Sequence, residues 1–536
     1  MKKTFSRTKR RLLASGGVIA AAPLADPAGG RQAAAQARSR TITFVVVPEP
    51  PLLVAAFSSA GMVQLVSPKI LEGLVVYDRN LDPRPSLATA WKISASGDEI
   101  SFTLRPGVKW HDGKPFTSAD VKFTIEEVLK KVHPRGRTTF AHVTSVETPD
   151  PLTAVLKLST PSPYIMSALA ASESPMVPRH LLEGRDPTKA PFATAPVGTG
   201  PFRFDSWQRG SHIVLKRNPD YWNKGRPHFD QMIARFIPDA GARAVALEKG
   251  EVDIGGAFPV ALDDTVRLSK LPSLKVTSEG YAMIGAMFYF EFNMRDPQFQ
   301  DVRVRRAIAH AIDRKFLIDN VWFGFADAAT GPVSQKLVNS YSDKVPHYPF
   351  DPKKAQELLD EAGFPRKDNG IRFTITHEPS PYNERYKRFG EYFKQAMATI
   401  GIAVDLKTAD AATFLRRIWT DNAYQTTAYG IFNTTDPTIG VQRMYWSKNI
   451  RKGVAYSNGS GYSSPDMDRV LEASQTEVDP AKRRELFQKM QVLAMTDLPI
   501  IPVVTENFVT IYNRRLQNYE ADAEGVYGTF ADIRAG

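Results

Sequence analysis

The feature of this sequence that most restricts its fold is a change in hydrophobic period along the chain. Between about Trp91 and Leu158, apolar and polar residues alternate in short runs separated by turn residues, which is typical of antiparallel strands. From Asp301 to Pro499, apolar residues recur at helical spacing instead, and short apolar strands separate the helices. A chain of 536 residues is too long for one small core. We therefore predict two or three packed lobes, at least one of them β-rich and one α/β.

The β-rich part begins with runs such as Ile100, Phe102 and Leu104, which alternate with polar neighbours. Residues 118–131 carry apolar side chains at helical spacing and predict one helix within this block. A second strand-rich block spans residues 197–237 and opens near two glycines that permit a sharp backbone turn. We expect a small antiparallel lobe with one helix, followed by further strands.

The α/β part has clear helix boundaries. Helix N-caps are predicted at Asp301 and at the pairs Asp351-Pro352 and Asp479-Pro480. Gly363 is predicted to end the helix that begins at Asp351-Pro352. A β-α-β unit is predicted over residues 373–406, with strands at 373–376 and 402–406 and a helix through Met397 between them. Gly401 stands where this helix should end.

The lobes are not predicted to follow one another as separate beads. The apolar, β-branched segment 41–47 is predicted to be a buried strand that needs partners, and the short strands after Thr505 are candidates. A chain that leaves a lobe and returns to it crosses twice between lobes, and two crossovers make a natural hinge.

Residues 1–37 have the pattern of an export signal. A cationic start that includes Arg10-Arg11 precedes an apolar run over 12–25 and the small-x-small sequence Ala35-Gln36-Ala37. Both a twin-arginine and an ordinary Sec signal fit this pattern. Loss of this segment would lower the net charge from +12 to +6, a mildly basic value that does not call for nucleic acid. We predict a periplasmic protein of residues 38–536.

Catalytic chemistry has little support. The chain has no cysteine, and it lacks G-x-S-x-G, Walker, S-x-x-K (after residue 37) and H-E-x-x-H motifs. His111-Asp112-Gly113 fits a tight turn better than an acid/base pair. Five histidines lack the spacing of metal ligands: His111, His133, His142, His180 and His212. We therefore predict no catalytic residue, no metal and no cofactor.

The densest aromatic stretch lies between Trp419 and Trp446 and encloses the turn-forming sequence 433–437. It fits core packing beside a surface turn, and it equally fits a ligand cleft whose aromatic walls supply contact area.

An ordered run of short motifs extends along residues 70–468. The motifs are Ile70-Leu71-Glu72-Gly73-Leu74, Val76-Tyr77-Asp78, Leu87-Ala88-x-x-Trp91, Phe102-x-Leu104-Arg105-x-Gly107-Val108-Lys109-Trp110-His111-Asp112-Gly113, Pro115-Phe116-Thr117, Asp120-Val121, Gly198-Thr199-Gly200-Pro201-Phe202, Asn218-Pro219-x-Tyr221-Trp222, Leu247-x-x-Gly250-Glu251-Val252-Asp253, Phe292-Asn293, Arg303-x-Arg305-x-Ala307-Ile308, Ala311-Ile312-Asp313-Arg314, Tyr348-x-x-Asp351-Pro352-x-x-Ala355, Leu358-Leu359-x-x-Ala362-Gly363 and Gly461-Tyr462 before Asp468. In this order they resemble the family 5 extracellular solute-binding proteins of ABC importers, the dipeptide/oligopeptide/nickel-binding type.

The resemblance implies a periplasmic binding protein with two α/β lobes around a ligand cleft and a hinge, plus an extra antiparallel β-rich lobe. Lobe I would comprise residues 38–90, 196–294 and 501–536, the extra lobe 91–195, and lobe II 295–500. Such a protein is a monomer that captures a peptide or small solute and delivers it to the permease subunits of an ABC transporter.

The resemblance leaves the ligand open. Peptide-binding members place an aspartate just before the Asp-Pro of the loop that here reads 429–437, and it pairs with the free amino group of the peptide. Asn433 stands at or next to that position, and an amide cannot neutralise an ammonium ion. A non-peptide ligand such as an opine or a glycoside is therefore the alternative, and an exported hydrolase is a third hypothesis. The residues predicted to contribute to the cleft are Trp419, Tyr429, Phe432, Asn433 and Tyr445.

Overall fold

The structure, a computed structural model, describes residues 40–521 and 523–536. The predicted export signal lies outside the described residues. A seven-stranded mixed sheet organises the first lobe; in spatial order its strands are Leu274–Thr277, Thr510–Asn513, Ile254–Gly255, Thr41–Val45, Gln231–Arg235, His212–Arg217 and Phe202–Gln208.

The strand that opens the described chain confirms one expectation and corrects another. Thr41–Val45 is buried in the first sheet, as its β-branched sequence predicts. Its direct partners are Gln231–Arg235 and Ile254–Gly255, both parallel to it. The strand Thr510–Asn513 returns to the same sheet but lies one strand further away, on the far side of Ile254–Gly255. Strand order depends on contacts between distant segments, which sequence alternation does not encode.

A second, six-stranded sheet organises the second lobe. In spatial order its strands are Ala326–Ala328, Ile500–Glu506, Ala286–Phe292, Thr426–Phe432, Phe373–Pro379 and Ile402–Leu406. The predicted β-α-β unit is confirmed, since Phe373–Pro379 and Ile402–Leu406 pair in parallel and the helix Glu384–Thr399 connects them. Gly401 has a φ of 84°, which favours glycine after a helix end.

The third sheet is antiparallel and has four strands. Their spatial order is Ala88–Ile93, Glu99–Leu104, Thr153–Leu158 and Val143–Asp150. The predicted helix here is present as Ser118–Phe123 followed by the wider π-turn segment Thr124–Leu129. The side chains of this antiparallel region share one continuous core with the first lobe. The two parts together are called the first body, and the second lobe is the second body. Two short ribbons complete the strands: Val75–Tyr77 with Pro83–Pro85, and Leu516–Gln517 with Arg534–Ala535.

Helices pack against the first and second sheets. The remaining α-helices are Gly61–Val66, Gly136–Thr139, Arg179–Leu182, Ala240–Glu248, Leu262–Leu268, Val302–His310, Arg314–Asn320, Pro352–Glu361, Ala411–Leu415, Pro437–Gly440, Gln442–Tyr445, Pro465–Thr476 and Pro480–Asp497. A second π-turn spans Arg416–Asp421. Short 3-10 helices are Ala55–Phe57, Ser67–Lys69, Pro163–Ala168, Pro191–Ala193, Pro297–Phe299, Ser447–Asn449, Tyr519–Ala521 and Gly525–Tyr527.

The predicted helix starts are confirmed at three aspartates. The side chains of Asp301, Asp351 and Asp479 each accept hydrogen bonds from backbone N–H groups of the first turn. These contacts satisfy donors that the helix itself leaves without partners. Gly363 has a φ of 85° just after the helix Pro352–Glu361, so its role as a stop is also confirmed.

The chain crosses between the first and second sheets twice, at residues 278–285 and 507–509. Two short adjacent crossovers provide the hinge that the sequence predicts. The strand Ala286–Phe292 already belongs to the second sheet, although the sequence assigned it to lobe I. It is buried on both faces, as a central strand must be. The remaining lobe limits stay a prediction.

Candidate ligand-binding cleft

A small cavity of about 50 Å³ lies between the two bodies, beside the first crossover. The first body supplies Gln64, Tyr77, Arg135, Ser167, Ala168, Ala170, Ser172, Glu173 and Tyr527; the crossover supplies Met283 and Ile284; the second lobe supplies Phe432, Thr434, Thr435 and Ile439. Sites for small organic ligands usually enclose about 300–1,000 Å³. A ligand of that size therefore requires the lobes to move apart.

Phe432 is the one predicted cleft residue whose side chain lines this cavity. It ends the strand Thr426–Phe432 and is 39% exposed. Its ring makes an edge contact with Phe508 of the second crossover, with centroids 5.8 Å apart. An exposed aromatic ring at the boundary between two lobes is well placed to contact a ligand.

Asn433 is buried, and its side chain is committed to the second lobe. The amide oxygen accepts from the backbone N–H of Ser334 at 2.6 Å, and the amide nitrogen donates to the Tyr289 hydroxyl at 3.1 Å. Its backbone N–H donates to the Gly285 carbonyl at 3.1 Å. Asn433 therefore fixes the end of the first crossover to the loop above it, and its contact with a ligand stays a prediction.

The other three predicted residues form a buried aromatic layer behind the cleft. Trp419 packs against Tyr429 with centroids 5.4 Å apart, and the Tyr429 hydroxyl donates to Glu291. Tyr445 is also fully buried. The Tyr445 hydroxyl and the Trp419 Nε1 have no hydrogen-bond partner among the described residues. Their role in binding likewise stays a prediction.

Glu291 gives this aromatic layer a buried charge. Its carboxylate accepts from the Tyr424 hydroxyl at 2.6 Å and from the Tyr429 hydroxyl. Burial raises the pKa of Glu291 to about 7, although these hydrogen bonds and the charge of Arg295 oppose the rise. A carboxyl group in this position titrates near neutral pH.

Sequence reasoning missed a charged pair on the opposite wall. The Arg135 guanidinium binds both carboxylate oxygens of Glu173, with an Nε–Oε1 distance of 2.6 Å. Gln64 donates to the same carboxylate at 3.3 Å. The two charged residues are 38 positions apart and belong to no helical or strand repeat, so only the fold brings them together.

The turn predicted at His111-Asp112-Gly113 is confirmed. Gly113 has a φ of 87°, and its backbone N–H closes the turn. The two side chains have different partners: the His111 ring lies 2.9 Å from the Gly200 carbonyl, while Asp112 lies 2.6 Å from His180. His111 and Asp112 therefore do not form an acid/base pair.

Within 40–521 and 523–536, no group of three or more histidine, cysteine, aspartate or glutamate side chains is arranged to hold a metal ion. Over the same ranges, no helix has the length and apolar character needed to cross a membrane.

Comparison with known proteins assigns this architecture to a family. Residues 82–453 match the family described as bacterial extracellular solute-binding proteins, family 5. A Brucella ovis protein, provisionally named an ABC transporter peptide-binding protein, is 32% identical over 489 residues, which cover 88% of each chain.

Two solved structures have the same fold at slightly lower identity. The periplasmic binding protein DppA of Helicobacter pylori, in complex with the peptide STSA, is 25% identical with a TM-score of 0.75, covering 94% of this chain and 99% of that one. The binding protein AgaA of A. tumefaciens R10, in complex with agropinic acid, is 26% identical with a TM-score of 0.73, covering 92% and 99%.

These matches define a periplasmic-binding-protein fold with two α/β lobes around a cleft. The chain belongs to the family 5 bacterial extracellular solute-binding proteins, and it is a substrate-binding receptor of an ABC transporter.

Proposed function

We propose that the protein captures a peptide or related small solute in the cleft between its lobes and delivers it to the membrane permease of an ABC importer. The observation that carries this proposal is the cavity beside two crossovers, too small for a solute unless the lobes separate. Opening would admit the solute, and closure would bury it and replace its water by protein groups.

Few polar contacts hold the lobes together at the cleft, which supports such a motion. Asn339 of the second lobe donates to the Asn80 carbonyl at 3.0 Å, and the Thr435 hydroxyl donates to the Ser167 carbonyl. The Thr435 bond is partly buried, and Asn339 also lies 3.4 Å from the Asp82 carboxylate. Hydrogen bonds of this kind each contribute only about 0.5–1.5 kcal/mol. A bound solute that contacts both walls would easily change the balance between open and closed forms.

Two ligand classes remain in competition. A peptide is the first candidate, in line with the provisional name of the Brucella relative and the STSA complex of DppA. Asn433 favours the second, a non-peptide solute such as an opine or glycoside, because its neutral amide already binds Ser334 and Tyr289 and offers no charge to an ammonium ion. The agropinic acid complex of AgaA is an example of a non-peptide ligand on this fold.

The cellular location and the partners of the protein follow from the proposed receptor role. We infer that the protein works in the periplasm as a monomer after loss of residues 1–37, with the permease as its protein partner. It acts without catalysis, cofactor or nucleic acid. Trp419, Tyr429, Phe432, Asn433 and Tyr445 shape the wall of the cleft and the layer behind it.

A thermal-shift screen of residues 38–536 tests the proposal. The panel contains short peptides with free and with acetylated N-termini, opines and oligosaccharides. A solute at 100 times its Kd stabilises the folded state by about 2.7 kcal/mol, which is measurable. A shift that needs the free amine identifies a peptide receptor, and a shift with amine-free solutes alone identifies the second class. Absence of a shift with every member would count against the proposal.

A further inference from the structure

Arg443 lies next to the cavity, hydrogen-bonded to the backbone of the cavity-lining residue Phe432, and forms no ion pair among the described residues. It lies on the short helix Gln442–Tyr445, where its Nε donates to the Gly440 carbonyl at 3.1 Å and its Nη2 to the Phe432 carbonyl at 3.3 Å. Among the described residues, no carboxylate oxygen lies within 4.0 Å of its guanidinium, and Nη1 has no acceptor. Burial of a charge without a counter-charge costs free energy, and a bound anion would offset that cost.

The charges around it leave an excess of one positive charge. Burial, and then the nearby charge of Arg135, lower the pKa of Arg443 to about 10, so both arginines are charged at neutral pH. The single negative charge of Glu173 is shared between two arginines: both of its oxygens bind Arg135, and the charge of Arg443 acts on it from further away. His133 lies 3.9 Å from Glu173, and burial lowers its pKa, so it adds no charge at neutral pH.

We propose that Arg443, together with the Arg135–Glu173 pair across the cavity, binds an oxyanion group of the transported solute, in most small organic solutes a carboxylate. This inference rests on the proposed function, since it names the chemical class that the cleft selects. The planar guanidinium offers a fork of N–H donors that matches two oxygens of one anion.

The geometry explains why the two walls contribute together. Arg443 belongs to the second lobe and its neighbour Phe432 lines the cavity, whereas Arg135 belongs to the β-rich sheet region of the first body. An anion between them relieves the repulsion between two arginines that approach as the lobes close. The same anion therefore favours the closed form, which is the form a permease must recognise.

The test compares acids with their own amides. Isothermal titration of residues 38–536 uses trialanine, succinate and N-acetylglutamate, each beside its primary amide, with inorganic phosphate as a second anion. We expect the best acid to bind about 10- to 100-fold more tightly than its amide, because hydrogen bonds to a charged group are worth about 1.5–3 kcal/mol. Phosphate binding in place of the carboxylates would identify a phosphorylated solute as the source of the oxyanion.

Variants test whether Arg443 is the residue that favours the acid over its amide. Arg443→Gln should remove the preference for the acid while leaving the affinity for the amide unchanged, and Arg443→Lys should keep part of it. Arg451→Gln is the matched control, since Arg451 is exposed and eight positions away. Circular dichroism verifies that each variant is folded.

The outcomes separate this inference from the proposed function. Equal binding of acid and amide, an unchanged preference in Arg443→Gln, or binding only by uncharged solutes overturns the anion subsite but leaves the receptor role intact. If none of these probes and no member of the thermal-shift panel binds, both proposals fail.

Discussion

Replacing Glu291 by glutamine should change how the stability of the second lobe depends on pH. The carboxylate lies in the central strand Ala286–Phe292, is 1% exposed, and accepts hydrogen bonds from Tyr424 and Tyr429. Its charge has no ion-pair partner among the described residues, so burial dominates and raises its pKa from 4.5 to about 7. Glutamine has the same shape and no charge.

The magnitude follows from the pKa of Glu291. Below pH 4.5 the carboxyl group is protonated in both the folded and the unfolded chain, and it contributes no pH dependence. Between pH 4.5 and 7 the unfolded chain releases the proton while the folded chain retains it, so the unfolding free energy falls as pH rises. A rise in pKa from 4.5 to about 7 corresponds to a loss of about 3 kcal/mol, which is complete above pH 7.

The assay is urea unfolding, followed by tryptophan fluorescence at pH 4.5, 6 and 8, for the wild type and Glu291→Gln. The account predicts that the wild type loses about 3 kcal/mol more than the variant between the lowest and highest pH. Glu72→Gln provides a parallel case in the first lobe, since burial also raises the pKa of Glu72 to about 7. If the curves of wild type and Glu291→Gln run parallel over this range, the assignment of a buried, unpaired carboxylate is wrong.

Four further variants test cleft-wall and buried residues of the second lobe. Asn433→Ala should lower the unfolding free energy by about 1–3 kcal/mol, because it leaves the buried Ser334 N–H without its acceptor and removes a donor to the Tyr289 hydroxyl; a change below about 0.5 kcal/mol in urea unfolding would contradict this. Phe432→Ala should weaken binding of the best solute of the screen at least about tenfold and lower the unfolding free energy by less than about 2 kcal/mol. Trp419→Ala should lower the unfolding free energy by about 3–5 kcal/mol, because Trp419 is buried. Equal unfolding free energies of the two variants would show that Phe432 is a core residue. Arg385→Met should lower the unfolding free energy by about 3 kcal/mol, because it leaves Glu506, 2.6 Å away and 1% exposed, without its ion-pair partner; an unchanged unfolding free energy in urea would show that the ion pair adds nothing.

Local signals in the sequence were sufficient for much of the second lobe. Asp351 and Asp479 cap helices because their side chains and the following prolines act within one turn. Residues 373–406 form the predicted β-α-β unit because hydrophobic period and Gly401 determine it locally. Predictions of this kind depend on neighbours in sequence, which are visible without the fold.

Contacts between distant segments were not accessible in the same way. Glu72 accepts hydrogen bonds from Thr199, Tyr221 and Trp222, so three of the family motifs meet at one buried carboxylate. The sequence contains these residues but does not show that they touch. Gly198 needs to be glycine because an added Cβ would lie 1.7 Å from the Ile70 carbonyl oxygen, a close approach that sequence reasoning had interpreted as a sharp turn.

In the candidate site, too, contacts between distant segments were not visible in the sequence. Phe432 lines the cavity, whereas Asn433 turns inward to Tyr289 and Ser334. The spacing of aromatic residues indicates where apolar area is concentrated and does not show which side of the strand faces the cleft. The role proposed for Arg443 has no sequence signal, because a single arginine in a short helix has no pattern of its own.

The distance between the lobes, with and without solute, tests the central claim most directly. The chain has no cysteine, so Lys249→Cys in the first lobe and Lys482→Cys in the second, both at exposed positions, take spin labels without competing sites. The account predicts a broad distance distribution without solute that narrows to the closed distance when the best solute of the screen is added, with Phe432→Ala requiring more solute for the same change. A solute that binds tightly while the distribution stays unchanged would contradict capture by closure of the cleft.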